Sequence, residues 1–562
     1  MKRFWKILWR GFKYFFLSLV ALIVLFFLYL VLFVKINPPR IADESAAKLQ
    51  RTIMGKDFYK VGNNYLRKNE YGVWEMYVEG KPFERGAVIG ILDKELLEYQ
   101  EDVFIAELKK IIPSDFYLRF LKYLIAWFNR DMDEYVPKEY LEEIYGESLS
   151  APDKYDFVGP KYQRMLNYHA AHDIGHALQS RNFVVGCTSF AAWNNKTSDS
   201  SLILARNFDF YVGDDFAKNK IILLCHPDSG INFISVTWPG MIGAVSGMND
   251  AGLAVTINAG TAEAPTKSAT PISILVREIL QYAHNIDEAV KIAASRKTFV
   301  SESILVASAN DKRAVIIEKS PTKQDVFETK DNALVCANHF QSTAFSNDPE
   351  NMKNISESTS QSRFERVKDL LSESPPLTAE SAAGILRDRK GPFEKNIGEG
   401  NEQAINQLIA HHSVVFEPEK KLAWISTNPW QLGEFVCYNL DNAFARSARI
   451  GEEKEIYDKG MNIAADTFLN SKAYYDYMAF RIIKKYVQYA AKNKSHLASE
   501  EQILSLVHTN PDYYYAYALA GEYYLAHDNK REAKKYFTIA LLKEPSCLNE
   551  KNRIEKELKN CD

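Results

Sequence analysis

The sequence predicts an α+β fold, preceded by one membrane-length apolar helix and followed by a helical tail. Three observations carry that reading. Residues 187–258 break into short β-type runs separated by turn clusters, as at Pro227-Asp228-Ser229-Gly230 and Asn249-Asp250-Ala251-Gly252. Helical patterns flank those runs instead of alternating with them one by one, which argues against a regular βαβ chain. Finally, the stretch Tyr14 to Val34 carries no charge at all.

That uncharged stretch follows Lys2, Arg3, Lys6, Arg10 and Lys13, and Lys35 closes it. As a helix it spans roughly 30 Å, about one hydrocarbon core. No small-x-small cleavage site follows, so residues 14–34 read as an uncleaved anchor and not as a signal peptide. The basic flank leaves residues 1–13 cytoplasmic and sends residues 36–562 to the periplasmic or extracellular side.

Beyond Pro38-Pro39 lies a polar connector, then an alternating strand over 73–79 closed by Gly80. A long helical pattern runs through Ile112, amphipathic signatures fill 115–145, and Tyr162 to Leu178 reads as another helix. This last helix stacks His169, His172 and His176 on one face, a spacing that helical metal ligands share. The order His-Asp-Ile-Gly-His lacks the glutamate of a zinc-protease motif. The three are read as hydrogen-bonding histidines beside a cleft or segment interface, with no metal and no cofactor. A metal-dependent hydrolase built on them stands as a rival reading.

Residues 36–186 thus look like a segment delivered to Gly186-Cys187-Thr188-Ser189, with Arg206-Asn207-Phe208-Asp209-Phe210 about twenty residues on. If the Gly186–Cys187 bond is cut by the chain itself, Cys187 carries a thiol and a free α-amine, groups that titrate at about 8.5 and 7.7–8.0. Nucleophile and base then sit on one residue, and no catalytic histidine is needed. Asp209 is placed to accept from the amine, and Arg206 to favour the thiolate. A glycine before the cysteine suits a bond that must distort.

From these residues the chain resembles the cysteine N-terminal-nucleophile (Ntn) hydrolases, a group that includes penicillin acyltransferase-like enzymes, choloylglycine hydrolases and acid ceramidase relatives. Trp238-Pro239-Gly240-Met241-Ile242-Gly243 and Gly247 to Val255 are similar to that family's glycine-rich hairpin. Ser362-Arg363-Phe364-Glu365-Arg366 resembles a segment whose first arginine lies in the site, and Glu79 to Gly86 resembles the pro-chain opening of the penicillin acyltransferase branch. The resemblance, over roughly residues 70–440, implies an αββα sandwich spanning 187–450 that matures by cutting itself. It implies hydrolysis of linear amides other than peptide bonds, or acyl transfer, on small-molecule acyl amides. It further implies Cys187 as nucleophile, Asn258 and Asn338 as oxyanion donors, and Arg363 in the site. The glycine at 186 favours the penicillin acyltransferase branch.

The remaining residues, 455–562, read as helical. With Gly521 fixed, Tyr517, Ala520, Tyr524, Ala533, Phe537, Ala540 and Pro545 fall at tetratricopeptide-like offsets, where small and aromatic residues let antiparallel helices close. Such a tail is a candidate binder of a peptide or protein partner, or a plain appendage on the body. A tethered binding protein with an inert hydrolase domain is the alternative to an enzyme. The net charge of −3 gives no footprint for nucleic acid. Six cysteines without C-x-x-C spacing argue against a disulfide scaffold or a zinc ribbon.

Overall fold

A computed structural model describes the chain apart from residues 1, 113, 171–172, 174–183, 264–266, 452–454 and 496–497. In chain order the strands are β1 (Thr52–Gly55), β2 (Phe58–Val61), β3 (Asn64–Lys68), β4 (Trp74–Gly80), β5 (Val184–Val185), β6 (Thr188–Asn194) and β7 (Ser200–Phe208). There follow β8 (Phe210–Tyr211), β9 (Ile221–Pro227), β10 (Phe233–Thr237), β11 (Ser246–Asn249), β12 (Leu253–Ala259) and β13 (Glu302–Ser308). The rest are β14 (Arg313–Lys319), β15 (Gln324–Phe327), β16 (Ala333–Cys336), β17 (His412–Glu417), β18 (Leu422–Ser426) and β19 (Phe435–Asn439).

The helices begin with α1 (Lys2–Phe33), α2 (Pro82–Ile111), α3 (Asp115–Phe128), α4 (Lys138–Ser148) and α5 (Lys161–His169). Around the sheets come α6 (Ile272–Tyr282), α7 (Ile286–Ser295), α8 (Pro349–Glu357), α9 (Ser360–Glu373), α10 (Ala379–Leu386) and α11 (Leu440–Ser447). The tail holds α12 (Lys472–Asn493), α13 (Glu500–His508), α14 (Tyr514–Ala526), α15 (Lys530–Leu542) and α16 (Leu548–Asn560).

Two sheets stack face to face. One has eleven strands in the order β1-β2-β3-β4-β9-β10-β11-β12-β13-β14-β15, the other six in the order β16-β6-β7-β17-β18-β19. Every pairing is antiparallel except β4 with β9, which runs parallel from Trp74 opposite Ile221 to Gly80 opposite Pro227. Between the sheets lies a core of Tyr65, Leu202, Leu204, Ile222, Leu224, Leu305, Val414 and Ile425. A second core joins the larger sheet to α2, α4, α5, α6 and α7, through Leu92, Ile144, Met165, Leu275 and Ala289 against Leu223, Val255 and Ile304. A third joins the smaller sheet to α9 and α10, through Val367, Ala382 and Leu386 against Phe190, Ile203 and Val415. The order helix, sheet, sheet, helix is the αββα sandwich that the resemblance implied.

One expectation needs correction. The connector after Pro38-Pro39 contains β1, β2 and β3, which extend the larger sheet at its edge. β1 is exposed throughout and β2 buries only Val61, while β3 buries the adjacent Tyr65 and Leu66, so none of the three shows the apolar alternation that makes a strand legible. The stretch 115–145 is two helices, α3 and α4, divided by a short turn at Met132–Glu134. The helix begun at Tyr162 has its described part end at His169, capped by Ala170. His172 and His176 lie outside the described residues.

Helices α2 and α4 touch backbone to backbone. A Cβ on Gly86 would lie 1.8 Å from the Glu143 carbonyl oxygen, and one on Gly146 would lie 2.4 Å from that of Phe83. Within this seam Arg85 holds Glu143 at 2.6 Å, and Arg277 of α6 approaches the same carboxylate at 3.5 Å. Burial alone would push Glu143 up, and Arg277 and Arg85 outweigh it.

Helix α1 is apolar enough to cross a membrane over Phe4–Leu30, with mean hydropathy 2.3. Helix α3 packs on it, Trp127 meeting Phe26 and Phe120 meeting Phe27. The tail opens with α12, and α14 closes on α15 where a Cβ on Gly521 would lie 2.7 Å from the Phe537 ring.

Asp93 of α2 is buried with neither carboxylate oxygen hydrogen-bonded, and its neighbour Glu147 of α4 is itself pushed well up by burial and by Asp93. Burial raises Asp93, and Glu95 adds to the shift. The folded state then retains a proton that the unfolded chain releases above about 3.9, so stability falls as pH rises from there toward the raised value. Asp93→Asn is expected to flatten that fall and to gain more stability at pH 8 than at pH 4.5. Thermal melts at both pH values measure this, and equal shifts at the two would contradict it.

Candidate active site

Strand alternation builds the site. In β7, Leu202 and Leu204 face the space between the sheets, so Arg206 and Phe208 face it too, while Ile203 and Ala205 face the outer helices. In β6, Ala191 shares the inter-sheet face with Ser189, and Cys187 precedes the strand in the same phase. In β12, Ala254 faces inward, which brings Asn258 to the same space. The pairings Ser189 with Arg206 and Cys336 with Ser189 fix the register across the smaller sheet.

The Arg206 guanidinium is wholly buried and donates Nη2 to the Cys187 Sγ at 3.7 Å. Its other donors reach the Val245 carbonyl at 2.9 Å, the Ser246 hydroxyl at 2.5 Å, and the Ile257 carbonyl. The Phe208 ring lies 4.2 Å from its carbon, a cation–π contact. Burial raises the Cys187 thiol, Arg206 pulls it back, and Asp209 adds to the rise. In the uncut chain the group is therefore a thiol.

Asp209 follows β7 directly and is buried, with Oδ1 lacking a hydrogen-bond partner. Burial pushes its carboxyl up to about 7, with Arg363 and Arg206 opposing the rise. The Asp209 carbonyl accepts the Gly186 N–H at 3.1 Å. From α9, Arg363 donates to the Cys187 carbonyl at 2.6 Å, the Thr188 hydroxyl at 2.8 Å and Asn338 Oδ1 at 2.8 Å.

The two asparagines differ. Asn338 donates Nδ2 to the Ala259 carbonyl at 3.0 Å and is the most accessible of the set, at 9%. Asn258 donates Nδ2 to the Cys336 and Ala337 carbonyls at 2.8 and 3.2 Å and accepts from Ser189 Oγ at 3.0 Å. In this uncut form its amide ties β6, β12 and β16 together. His169 is likewise committed to the backbone, through Nδ1 to the Met165 carbonyl at 2.9 Å and Nε2 from the Ile242 N–H at 3.0 Å. Burial brings it down to about 4.

One residue escaped sequence reasoning. Gln407, two per cent exposed, donates Nε2 to the Gly186 carbonyl at 2.8 Å and lies 3.4 Å from Asp209 Oδ2. It sits in a loop before β17, without a motif and far along the chain from Cys187. Nothing local in the sequence marks it.

Several known proteins are similar to parts of this chain. Residues 193–429 match the family model of acyl-coenzyme A:6-aminopenicillanic acid acyl-transferase. That stretch is a penicillin acyltransferase-like domain. An uncharacterized protein of Archaeoglobus fulgidus is 26% identical over 313 residues, covering 49% of this chain and 51% of its own. The N-acylethanolamine-hydrolyzing acid amidase of Caenorhabditis elegans is 25% identical over 237 residues, covering 40% of this chain and 62% of its own. The chain spans about half the length of the first curated relatives it matches. Among solved structures, penicillin V acylase from Agrobacterium tumefaciens aligns at 16% identity and a TM-score of 0.29, over 43% of this chain and 83% of its own. The matched stretch begins six residues after Cys187 and contains Arg206, Asp209, Asn258, Asn338, Arg363 and Gln407.

Because Asn258 bonds to three elements, Asn258→Ala is expected to strip buried carbonyls of their donor and to destabilise the fold by about 2 kcal/mol. A lowered melting temperature in the Cys187→Ala background checks this without interference from cleavage. An unchanged melt would show that the three bonds contribute little.

Proposed function

We propose that this protein is a self-processing amidase or acyltransferase of the penicillin acyltransferase-like kind, held at a membrane by residues 14–34. The observation that carries the reading is the convergence on one peptide bond. Arg206 donates to the thiol of Cys187, while Gln407 and Arg363 donate to the carbonyls on either side of the Gly186–Cys187 linkage.

Maturation starts from the thiol. Cys187 Sγ adds to the Gly186 carbonyl carbon as its proton passes to Asp209, whose carboxyl near 7 is part-ionised at neutral pH. The C–N bond breaks with the nitrogen taking a proton, and water hydrolyses the thioester to a Gly186 carboxylate and a free thiol. In turnover the new α-amine accepts the thiol proton and hands it to the leaving amine. Arg206 favours the thiolate, Asp209 orients the amine, and the spare hydrogen of Asn338 faces the oxyanion. Asn258 joins as second donor once cutting frees its amide from the Cys336 and Ala337 carbonyls. Arg363 holds both Cys187 and Asn338 in place. Water or a second amine resolves the acyl-thioester.

The amidase of C. elegans is named for N-acylethanolamines, and N-acyl amides are the substrate class we assign here. The membrane reading rests on the exposed apolar surface of α1, its basic flank, and the aromatic face of α3 lying beside Phe26 and Phe27. In this arrangement residues 1–13 are cytoplasmic and the catalytic domain lies beyond the membrane.

Denaturing electrophoresis and N-terminal sequencing test the proposal. Wild type is expected as two fragments with a new start at Cys187, and Cys187→Ala as one band. Identical patterns from the two would overturn the self-processing reading. The cleavage rate is expected to rise with pH through about 7, as Asp209 ionises, and Asp209→Asn is expected to remove that limb. A rate flat in pH would remove Asp209 from the role of base.

A further inference from the structure

We infer that Gln407 is the oxyanion donor for self-cleavage, positioned by the C-terminal helical tail. The inference rests on the self-processing reading and adds to it a residue and a role for the tail. During cleavage the Gly186 carbonyl oxygen gathers negative charge as sulfur adds to its carbon, and the Gln407 N–H already lies 2.8 Å from that oxygen. Donors fixed before charge develops need no reorganisation as the reaction proceeds, which is why such placement lowers a barrier.

The glycine at 186 fits this assignment sterically. A Cβ there would lie 2.4 Å from Gln407 Nε2 and 2.8 Å from its Oε1, so any side chain at 186 drives the amide off the carbonyl. The same nitrogen lies 3.4 Å from Asp209 Oδ2, so one amide touches both the group attacked and the carboxylate beside it.

The tail holds this amide in place. Leu408, the next residue, belongs to the tail's own hydrophobic core with Tyr477, Phe480 and Tyr513. Gln407 and Leu408 therefore point to opposite sides of one loop. Asn510 grips the loop twice, its Nδ2 donating to the Glu399 carbonyl at 2.8 Å and its Oδ1 accepting the Glu399 N–H at 3.1 Å. Tyr513 donates to Glu402 at 3.0 Å, and Gln403 donates to the Pro545 carbonyl at 3.1 Å. Gly398 has φ +81°, and a Cβ there would lie 2.4 Å from the Tyr513 nitrogen, so the tail leaves the loop no room to shift.

The test is a time course of cleavage in cell-free translation of the full chain. Gln407→Met keeps the length and bulk of the side chain and removes its donor. Its half-time for fragment appearance is expected to lengthen about 10²–10³-fold, the usual effect of losing one oxyanion donor. Gly186→Ala is expected to slow cleavage by displacing Gln407. A melting temperature of Gln407→Met matched to that of uncut Cys187→Ala shows that folding is intact. Cleavage of Gln407→Met at the wild-type rate would overturn the assignment while leaving self-processing standing. Wild type that stays whole would take down both.

Discussion

Two wholly buried arginines, Arg206 and Arg363, are the constraint on which the site depends. A guanidinium removed from water is costly unless its donors are matched, and here most acceptors are neutral dipoles. Arg206 is held by carbonyls, a hydroxyl, a ring and the thiol, and Arg363 by a carbonyl, a hydroxyl and an amide oxygen. Burial lowers both arginines, with Cys187 and Asp209 opposing. The pressure on the two cations and the pressure against the thiolate and carboxylate are thus one electrostatic problem. Ionising Cys187 relieves the arginines as well as activating the sulfur.

That problem is solved by strand phase. One residue of slip in β7 would send Arg206 to the outer helices and Asn207 to the space between the sheets. In the observed phase Asn207 faces α10, donating to the Leu386 and Ile405 carbonyls at 2.9 and 3.0 Å. Register in the smaller sheet therefore decides which side chains meet at Cys187.

The sequence was legible where chemistry is local. Gly186-Cys187 and the Arg206 to Asp209 run announce themselves through spacing, and the turns around Asn249 to Gly252 locate β11 and β12. β1 and β2 were hidden because an exposed edge carries no apolar alternation, and β3 because its buried Tyr65 and Leu66 are adjacent and go to opposite faces. Asn258 was found by resemblance, yet its bonding to Cys336 and Ala337 depends on a partner nearly eighty residues away in sequence. Gln407 was invisible for the same reason in stronger form, because its meaning comes wholly from which backbone it meets. The tail's aromatic and small positions were legible as close helix packing, but its grip on the 396–408 loop was not.

The parallel pairing of β4 with β9 bears on the self-processing proposed above. Strands that precede Gly186 in the chain and strands that follow it are neighbours in a single hydrogen-bonded ladder. If the chain is cut after Gly186 as proposed, two polypeptides stay laced into one body, with α1 on the shorter piece and the Cys187 sulfur on the longer. The backbone would then no longer connect that sulfur to α1, yet the ladder would, so the longer piece would stay moored by a strand it does not own.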